Sequence, residues 1–189
     1  MYEPEYPILT ERLSLRPIAP DDAPAMLRYK SDAECVRFVP YGPLSLAEVE
    51  ERIATRWATT RFEDEGDAVC LAVEERESGC LVGDVVLFWR SEGDREGEVG
   101  YIFDPAASGR GYATEAVGAL LDLGFDGLGL HRIAARIDER NTASVRVVER
   151  LGFRREARFV ESSWFKGEWA TMLVYALLER EWRSPIIEE

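Results

Sequence analysis

The glycine-containing turn at residues 104–111 has the residue types best suited to binding a charged group. It follows an apolar strand, residues 99–103, and leads directly into a helical pattern. The first N–H groups of a helix have no intrahelical partner and carry the positive end of the helix dipole, so they bind anions such as phosphate. Gly109 and Gly111 add conformational freedom and close backbone approach to a ligand. An ordinary strand-to-helix turn can contain the same two glycines, and this pattern alone leaves both interpretations open.

Other recognisable chemical motifs do not match the sequence. Thr114 stands where a dinucleotide fingerprint needs its third glycine, and no Gly-Lys-Ser or Gly-Lys-Thr completes a nucleoside-triphosphate loop. The only histidine, His131, fits no serine or cysteine triad, and we interpret it as a structural residue at a strand entry. The sequence has three cysteines, Cys35, Cys70 and Cys80. Because their number is odd and their spacing does not match that of metal ligands, we predict neither disulfides nor a metal site. Cys70 and Cys80 fall in strand-like runs and are predicted to be buried.

Length and charge restrict the class of protein. The 189 residues suffice for a single domain with a full core, and we predict one domain over 1–189, with its core at about 8–182. The net charge of −13 disfavours a nucleic-acid partner and fits a cationic substrate such as an amine, although acidity can also serve solubility alone. No apolar run approaches the roughly 20 residues of a membrane span, and no secretory signal is recognisable. We therefore predict a cytoplasmic protein without a membrane partner.

Hydrophobic periodicity predicts an α+β domain with a mixed, mostly antiparallel sheet of six or seven strands and about four helices. The predicted strands are residues 13–18, 68–75, 81–89, 99–103, 132–138, 158–165 and 171–178. The predicted helices are residues 23–29, 46 to about 62, the segment after Gly111, and about 142–151. Ser45 and Glu48 form a capping-box pattern before the second helix. A strand–helix–strand crossover makes the strands at 99–103 and 132–138 parallel.

Three motifs in this order and spacing resemble the GNAT acyltransferases, specifically their RimJ/RimL-like branch. Residues 109–116, GRGYATEA, are similar to the pyrophosphate loop of that branch. Residues 141–153, NTASVRVVERLGF, resemble its N-x-x-S…E-[KR]-L-G-F signature, and residues 9–17 and 179–182 resemble its opening and closing segments. The resemblance implies the GNAT fold and an N-acetyltransferase that uses acetyl-CoA. Coenzyme A is then expected in a V-shaped gap between the strands at 99–103 and 132–138.

The resemblance also implies roles for individual residues. The backbone of Tyr101, Ile102 and Phe103 is expected to pair with the pantetheine arm, since an exposed strand edge suits that peptide-like chain. Asn141 and Ser144 are expected beside the pantetheine and its thioester end. The pyrophosphate is expected to bind backbone N–H groups from the turn and the helix start: Ala107, Ser108, Gly109, Arg110, Gly111, Tyr112 and Ala113.

Two positions depart from the pattern of the superfamily. Ala106 stands where Gln or Arg is frequent, so we expect the loop to bind through its backbone, with Arg110 either assisting or simply exposed to solvent. Val148 stands where many relatives have a tyrosine that protonates the leaving thiolate. A thiol with a pKa near 8.5 can leave without obligatory protonation, and Ser144 is the hydroxyl that this branch suggests as donor to the sulfur.

The expected reaction is direct attack of an amine on the acetyl thioester in a ternary complex. Glu98 is our candidate general base, because strand alternation places it on one face with Gly100 and Ile102; it can equally be a solvated carboxylate at a strand start. Glu161 and Glu168 are less specific candidates for this role. The irregular segment at residues 31–43 is a candidate wall of the acceptor pocket. Four aromatic side chains are candidate lining residues: Phe38, Tyr41, Trp57 and Trp164.

The sequence leaves the acceptor open. A protein α-amine and a small amine, such as a polyamine, an amino acid or an aminoglycoside, both fit, and a longer acyl donor such as succinyl-CoA also fits. An alternative of another class is a coenzyme A-binding sensor without catalysis, which the departures at Ala106 and Val148 allow. Relatives are often homodimers, but no sequence feature identifies an interface.

Overall fold

The computed structural model describes residues 1–183, which form one eight-stranded sheet flanked by helices. The strands are β1 (Ile8–Leu9), β2 (Leu13–Pro17), β3 (Ala68–Glu75), β4 (Leu81–Ser91), β5 (Glu96–Phe103), β6 (Arg132–Asp138), β7 (Arg154–Phe165) and β8 (Glu168–Leu178). Their order across the sheet is β1-β2-β3-β4-β5-β6-β8-β7. Only β5 and β6 are parallel neighbours, as the crossover between them predicts.

Five α-helices accompany the sheet within the described residues. They are α1 (Ala23–Lys30), α2 (Leu46–Arg52), α3 (Tyr112–Asp122), α4 (Thr142–Arg150) and α5 (Glu179–Arg183). Short π-helical turns extend α2 through Ile53–Trp57 and α3 through Leu123–Gly127. The predicted α+β class, with a mixed and mostly antiparallel sheet, is confirmed.

The differences from prediction lie in short or weakly patterned segments. The strand β1 has two residues and the helix α5 has five, too few for a periodic signal, so the strand and helix counts were predicted too low. The second helix ends near Trp57 rather than near residue 62, because residues 58–61 offer no buried face for it to continue. Its start is as predicted, with Ser45 and Glu48 bonded reciprocally. Cys80 is exposed in the turn before β4, so the prediction that it is buried is wrong.

The two faces of the sheet carry separate cores. On one face, α3 and α4 pack against the sheet through apolar side chains such as Leu120 and Leu121, both fully buried. On the other face, α1 and α2 cover a smaller cluster that includes Met26 and Val49. Truncating a fully buried leucine in either type of core costs roughly 2–5 kcal/mol, so both layers hold the sheet in place.

The strands β5 and β6 separate after a short paired stretch. They are bonded only from Glu96 to Glu98 on β5 and from Arg132 to Ala134 on β6. The rest of β5, residues 99–103, pairs with β4 alone, while β6 stays paired with β8 along its length. The parallel pair therefore opens into a gap with one free strand edge, the geometry that a V-shaped cofactor site requires.

Candidate active site

A cavity of about 620 Å³ lies where β5 and β6 separate and extends over the face covered by α1 and α2. This volume is within the range of small-molecule sites. Predicted site residues that line it are Glu98, Tyr101, Ile102, Asn141 and Ser144. Phe103 and the predicted pyrophosphate loop, residues 107–113, lie outside its lining, and so does His131.

Glu98 sits at the apex of the gap. It is the last residue of β5 that pairs with β6, opposite Ala134, and its side chain is about one-fifth exposed. Its Oε2 accepts a hydrogen bond from Arg90 Nε at 3.0 Å. Its Oε1 has no hydrogen-bond partner among residues 1–183. A cavity-lining carboxylate with one oxygen fixed and the other without a protein partner has the arrangement that a general base needs.

Asn141 and Ser144 occupy the first turn of α4 at the edge of the cavity. The side chain of Asn141 caps the helix by accepting from the Ser144 N–H at 3.1 Å. The Tyr101 hydroxyl donates to the Ser144 carbonyl at 3.0 Å, which ties β5 to α4 across the gap. Burial raises the pKa of Tyr101, so this hydroxyl stays protonated and keeps donating. The Ser144 hydroxyl itself has no protein partner among the described residues and remains free for a ligand.

The glycine turn has the backbone conformation that its sequence predicts. Gly109 has φ +76° and Gly111 has φ +79°, both in the left-handed region that favours glycine. Within the described chain, no protein acceptor bonds the N–H groups of residues 109–113. The N–H groups of Ala107 and Ser108 instead donate to the carbonyls of Asp104 and Pro105. A 3-10 turn therefore already engages these two amides, and the N–H groups that lack a protein acceptor begin at residue 109.

The charged side chains around this turn bond to each other. Arg110 is half exposed and pairs with Glu75 at 2.5 Å, and the Tyr112 hydroxyl also donates to Glu75. This hydrogen bond raises the pKa of Tyr112 and lowers that of Glu75. Arg12 donates to the Arg110 carbonyl at 2.8 Å and pairs with Glu115. The contacts of Arg12 and Arg110 thus fix the turn, and the N–H groups of residues 109–113 stay without a protein acceptor.

A buried polar network forms the base of the cavity. The Lys30 ammonium, which is completely buried, lies 2.8 Å from Asp84 Oδ2 and donates to the Tyr41 hydroxyl at 3.1 Å. The Tyr29 hydroxyl donates to the same carboxylate oxygen at 2.8 Å. Burial opposes the charge of Lys30, but Asp84 and Tyr41 outweigh it and raise the pKa of the ammonium. Trp57 covers the ammonium, with its ring centroid at 4.3 Å.

Sequence reasoning missed Lys30 and Asp84. A signal was present, because Asp84 is the only charged residue in the apolar run at residues 81–89, LVGDVVLFW. The segment predicted as a pocket wall contributes Phe38 and Tyr41 to the lining. Trp164 does not line the cavity, because it lies exposed on the β7–β8 hairpin against Trp169.

The less specific base candidates also lie outside the cavity. Glu161 and Glu168 do not line it, and Glu168 pairs with Arg140 at 2.5 Å.

Burial raises the pKa of Cys70, in the cavity lining, to about 12. Among residues 1–183, no three histidine, cysteine or acidic side chains group as a metal site. No described helix is long and apolar enough to cross a membrane.

Known proteins similar to this chain include several acetyltransferases. The family model described as "Acetyltransferase (GNAT) domain" matches residues 12–154. The "Uncharacterized N-acetyltransferase YnaD" of Bacillus subtilis is 33% identical over 176 residues, covering 93% of this chain and 98% of that protein. A GNAT-family acetyltransferase structure from Bacillus anthracis superposes with a TM-score of 0.81 at 30% identity, covering 96% of this chain and all of that one.

A further structural neighbour was solved with ligands. The spermidine N-acetyltransferase of Vibrio cholerae, in complex with CoA and spermine, superposes with a TM-score of 0.78. The superposition covers 93% of this chain and all of the Vibrio cholerae chain. At 23% sequence identity, this similarity supports the fold alone.

Proposed function

The chain belongs to the GNAT acetyltransferase family and is an acetyl-CoA-dependent acyltransferase; from that premise we propose that it acetylates a small primary amine. The observation that carries the proposal is the cavity at the strand gap. It brings Glu98 and Ser144 together beside a free strand edge. A cavity of about 620 Å³ fits a small acceptor better than a folded protein surface does.

The residues of the gap and the glycine turn fit acetyl-CoA as co-substrate, which supplies an activated acetyl thioester. The free N–H groups of residues 109–113 provide donors for a pyrophosphate at the start of α3. The open edge of β5, at Tyr101, Ile102 and Phe103, offers main-chain groups to the pantetheine arm. Asn141 and Ser144 then lie at the thioester end. We keep Arg110 out of the binding set, because Glu75 already pairs with it.

Each catalytic step has a candidate residue. Glu98 Oε1 accepts the proton that the amine loses as its nitrogen attacks the carbonyl carbon. An N–H of β5 stabilises the oxyanion that forms. The Ser144 hydroxyl donates to the sulfur as the C–S bond breaks, since Val148 is completely buried and carries no hydroxyl. Holding both substrates in one cavity supplies up to about 7–11 kcal/mol through orientation.

The measurement that tests this function is release of free thiol from acetyl-CoA across a panel of amines. We expect turnover with at least one small amine, and a loss of kcat in Ser144→Ala with unchanged acetyl-CoA affinity. The matched control is Ser162→Ala, an exposed serine of the β7–β8 hairpin. Thermal stabilisation by acetyl-CoA without turnover on any amine would instead favour the non-catalytic sensor. Faster turnover with succinyl-CoA would favour a longer acyl donor.

Three narrower assignments remain part of the proposal. Membership of the RimJ/RimL-like branch rests on the motifs at 109–116 and 141–153. The cytoplasmic location rests on the composition of the sequence. The homodimer rests on the frequency of homodimers among relatives. Sedimentation of the purified protein tests the homodimer directly.

A further inference from the structure

The cavity has the opposite charge balance to the chain as a whole. The chain has 36 acidic and 23 basic lysine and arginine residues. The cavity lining has three carboxylates and five basic groups: Asp84, Glu98, Asp138, Lys30, Arg52, Arg56, Arg90 and Arg136. An acidic protein that surrounds one cavity with excess positive charge has a local potential that attracts anions.

Every carboxylate of the lining already has a basic partner. Asp84 lies 2.8 Å from Lys30, and Glu98 lies 3.0 Å from Arg90. Asp138 lies 2.6 Å from Arg140, whose bonds to it lower the pKa of the aspartate despite partial burial. No lining carboxylate is therefore left to neutralise an additional ammonium group of an acceptor.

Three lining arginines lack such a partner. Arg52, Arg56 and Arg136 line the cavity and form no ion pair within 4.0 Å of a carboxylate of residues 1–183, and Arg56 and Arg136 are also exposed to solvent. The nearest acidic influence on Arg52 is Glu48, one turn earlier in α2, whose pKa is lowered by its capping hydrogen bonds and also by the Arg52 charge. Arg52 is held in place by aromatic rings, with its guanidinium 5.0 Å from the centroid of Tyr41 and 5.9 Å from that of Trp57. The positive charges come from two separate walls, the α2 segment and β6.

We propose that the acceptor carries an anionic group, a carboxylate or a phosphate, in addition to the amine that is acetylated. Arg52, with Arg56 and Arg136, binds that group, because a guanidinium matches the oxygens of both anions through paired hydrogen bonds. The amine then lies toward Glu98, at the apex of the gap. A polyamine would instead bring a second ammonium against unpaired guanidinium groups, an arrangement that like-charge repulsion disfavours. This inference rests on the proposed acetyltransferase function and specifies its substrate class.

The test compares acceptors that differ only in the group distant from the amine. The first pair is 4-aminobutanoate and 1,4-diaminobutane, which share a four-carbon chain and a primary amine. The second pair is O-phosphoethanolamine and ethanolamine, which tests phosphate in place of carboxylate. Butylamine is the neutral reference. We expect kcat/KM to be at least about tenfold higher for the anionic member of one pair, the effect of one charge-assisted hydrogen bond.

The variants Arg52→Gln and Arg136→Gln locate the effect. We expect each to raise KM for the preferred anionic acceptor by about tenfold, with kcat, KM for acetyl-CoA and turnover of butylamine unchanged. Arg150→Gln, at an exposed arginine of α4 outside the cavity lining, is the matched control and should leave every parameter unchanged.

The outcomes separate the two claims. Absence of an anionic preference in both pairs, or an equal effect of Arg52→Gln on butylamine, overturns the anionic subsite and leaves the acetyltransferase function standing. Absence of thiol release with every acceptor overturns the proposed function itself.

Discussion

Replacing Lys30 with methionine should strongly destabilise the protein. Methionine keeps the length and the apolar packing of the side chain but removes the ammonium that lies 2.8 Å from Asp84. Asp84 is only 8% exposed and would keep a buried negative charge with the Tyr29 hydroxyl as its remaining donor. Breaking a buried ion pair from one side costs about 3–5 kcal/mol, whereas replacing both partners is far less costly.

The assay is urea and thermal unfolding of Lys30→Met, Asp84→Asn and the double variant at pH 7. For a chain of this size, about 3–5 kcal/mol corresponds to a fall in Tm of roughly 6–20 °C. We expect the double variant to recover most of that loss, because it contains no unpaired buried charge. Arg61→Met is the control, since its pair with Glu63 is half exposed and should contribute at most about 1 kcal/mol.

Two results would refute this reasoning about the Lys30–Asp84 pair. One is a loss below about 1 kcal/mol in Lys30→Met, which would mean that the pair does not hold the cavity base together. The other is a double variant whose loss equals the sum of the two single losses, which would mean that the partners are not coupled.

The same pair predicts the alkaline limit of stability. The folded state raises the pKa of Lys30 above its ordinary 10.5, so the stabilising charge is fully present below that pH and is lost as the pH rises through the raised value. Burial and the Asp84 charge raise the pKa of Tyr29 well above 10.0, and ionising this tyrosine acts in the same direction. The free energy of unfolding should therefore fall above about pH 10 in the wild type and less steeply in the double variant.

Three further predictions test the site and its supports. Glu98→Gln should lower the rate more at neutral than at alkaline pH, where the amine is already partly deprotonated; an unchanged pH–rate profile would exclude Glu98 as the base. Gly109 has φ +76° and Gly79 has φ +68°, and both have open space around them, so an alanine at either position should cost about 1–2 kcal/mol of stability through backbone strain alone. Calorimetry should find weaker acetyl-CoA binding for Gly109→Ala and unchanged binding for Gly79→Ala. Burial raises the pKa of Asp22, but its bonds to Arg16 outweigh this and lower it. Its contribution is therefore present above about pH 3.8 and lost as the pH falls through the depressed value, and Asp22→Asn should show a shallower acid-unfolding curve below pH 4.

Local patterns predicted the parts of the site that depend on neighbours in sequence. The positive φ values of Gly109 and Gly111, the cap at Asn141 and the capping box at Ser45 all follow from residue types a few positions apart. The parallel pairing of β5 and β6 followed from the crossover rule, which also depends on chain connectivity alone. Placing Glu98 on the cavity side required only strand alternation.

Contacts between distant segments could not be predicted in this way. Whether an N–H has a protein acceptor depends on which carbonyls approach it, so the hydrogen bonds of the Ala107 and Ser108 amides emerged only from the folded turn. Lys30 and Asp84 are 54 positions apart, and no pattern in the sequence around either residue predicts that the two form an ion pair. Periodicity assigns a residue to a face of its own element but says nothing of the element that covers it.

The sequence by itself therefore determined the family, the fold class and the left-handed conformation of the glycine turn, because these are encoded in short patterns and in chain order. Only the tertiary structure decided the charge inside the acceptor cavity. The chain is acidic overall, yet each lining carboxylate is paired with a basic group that folding brings to it, while Arg52, Arg56 and Arg136 form no close ion pair among residues 1–183. Electrostatic selectivity depends on these distances between side chains, and the distances exist only once the sheet and its helices have packed.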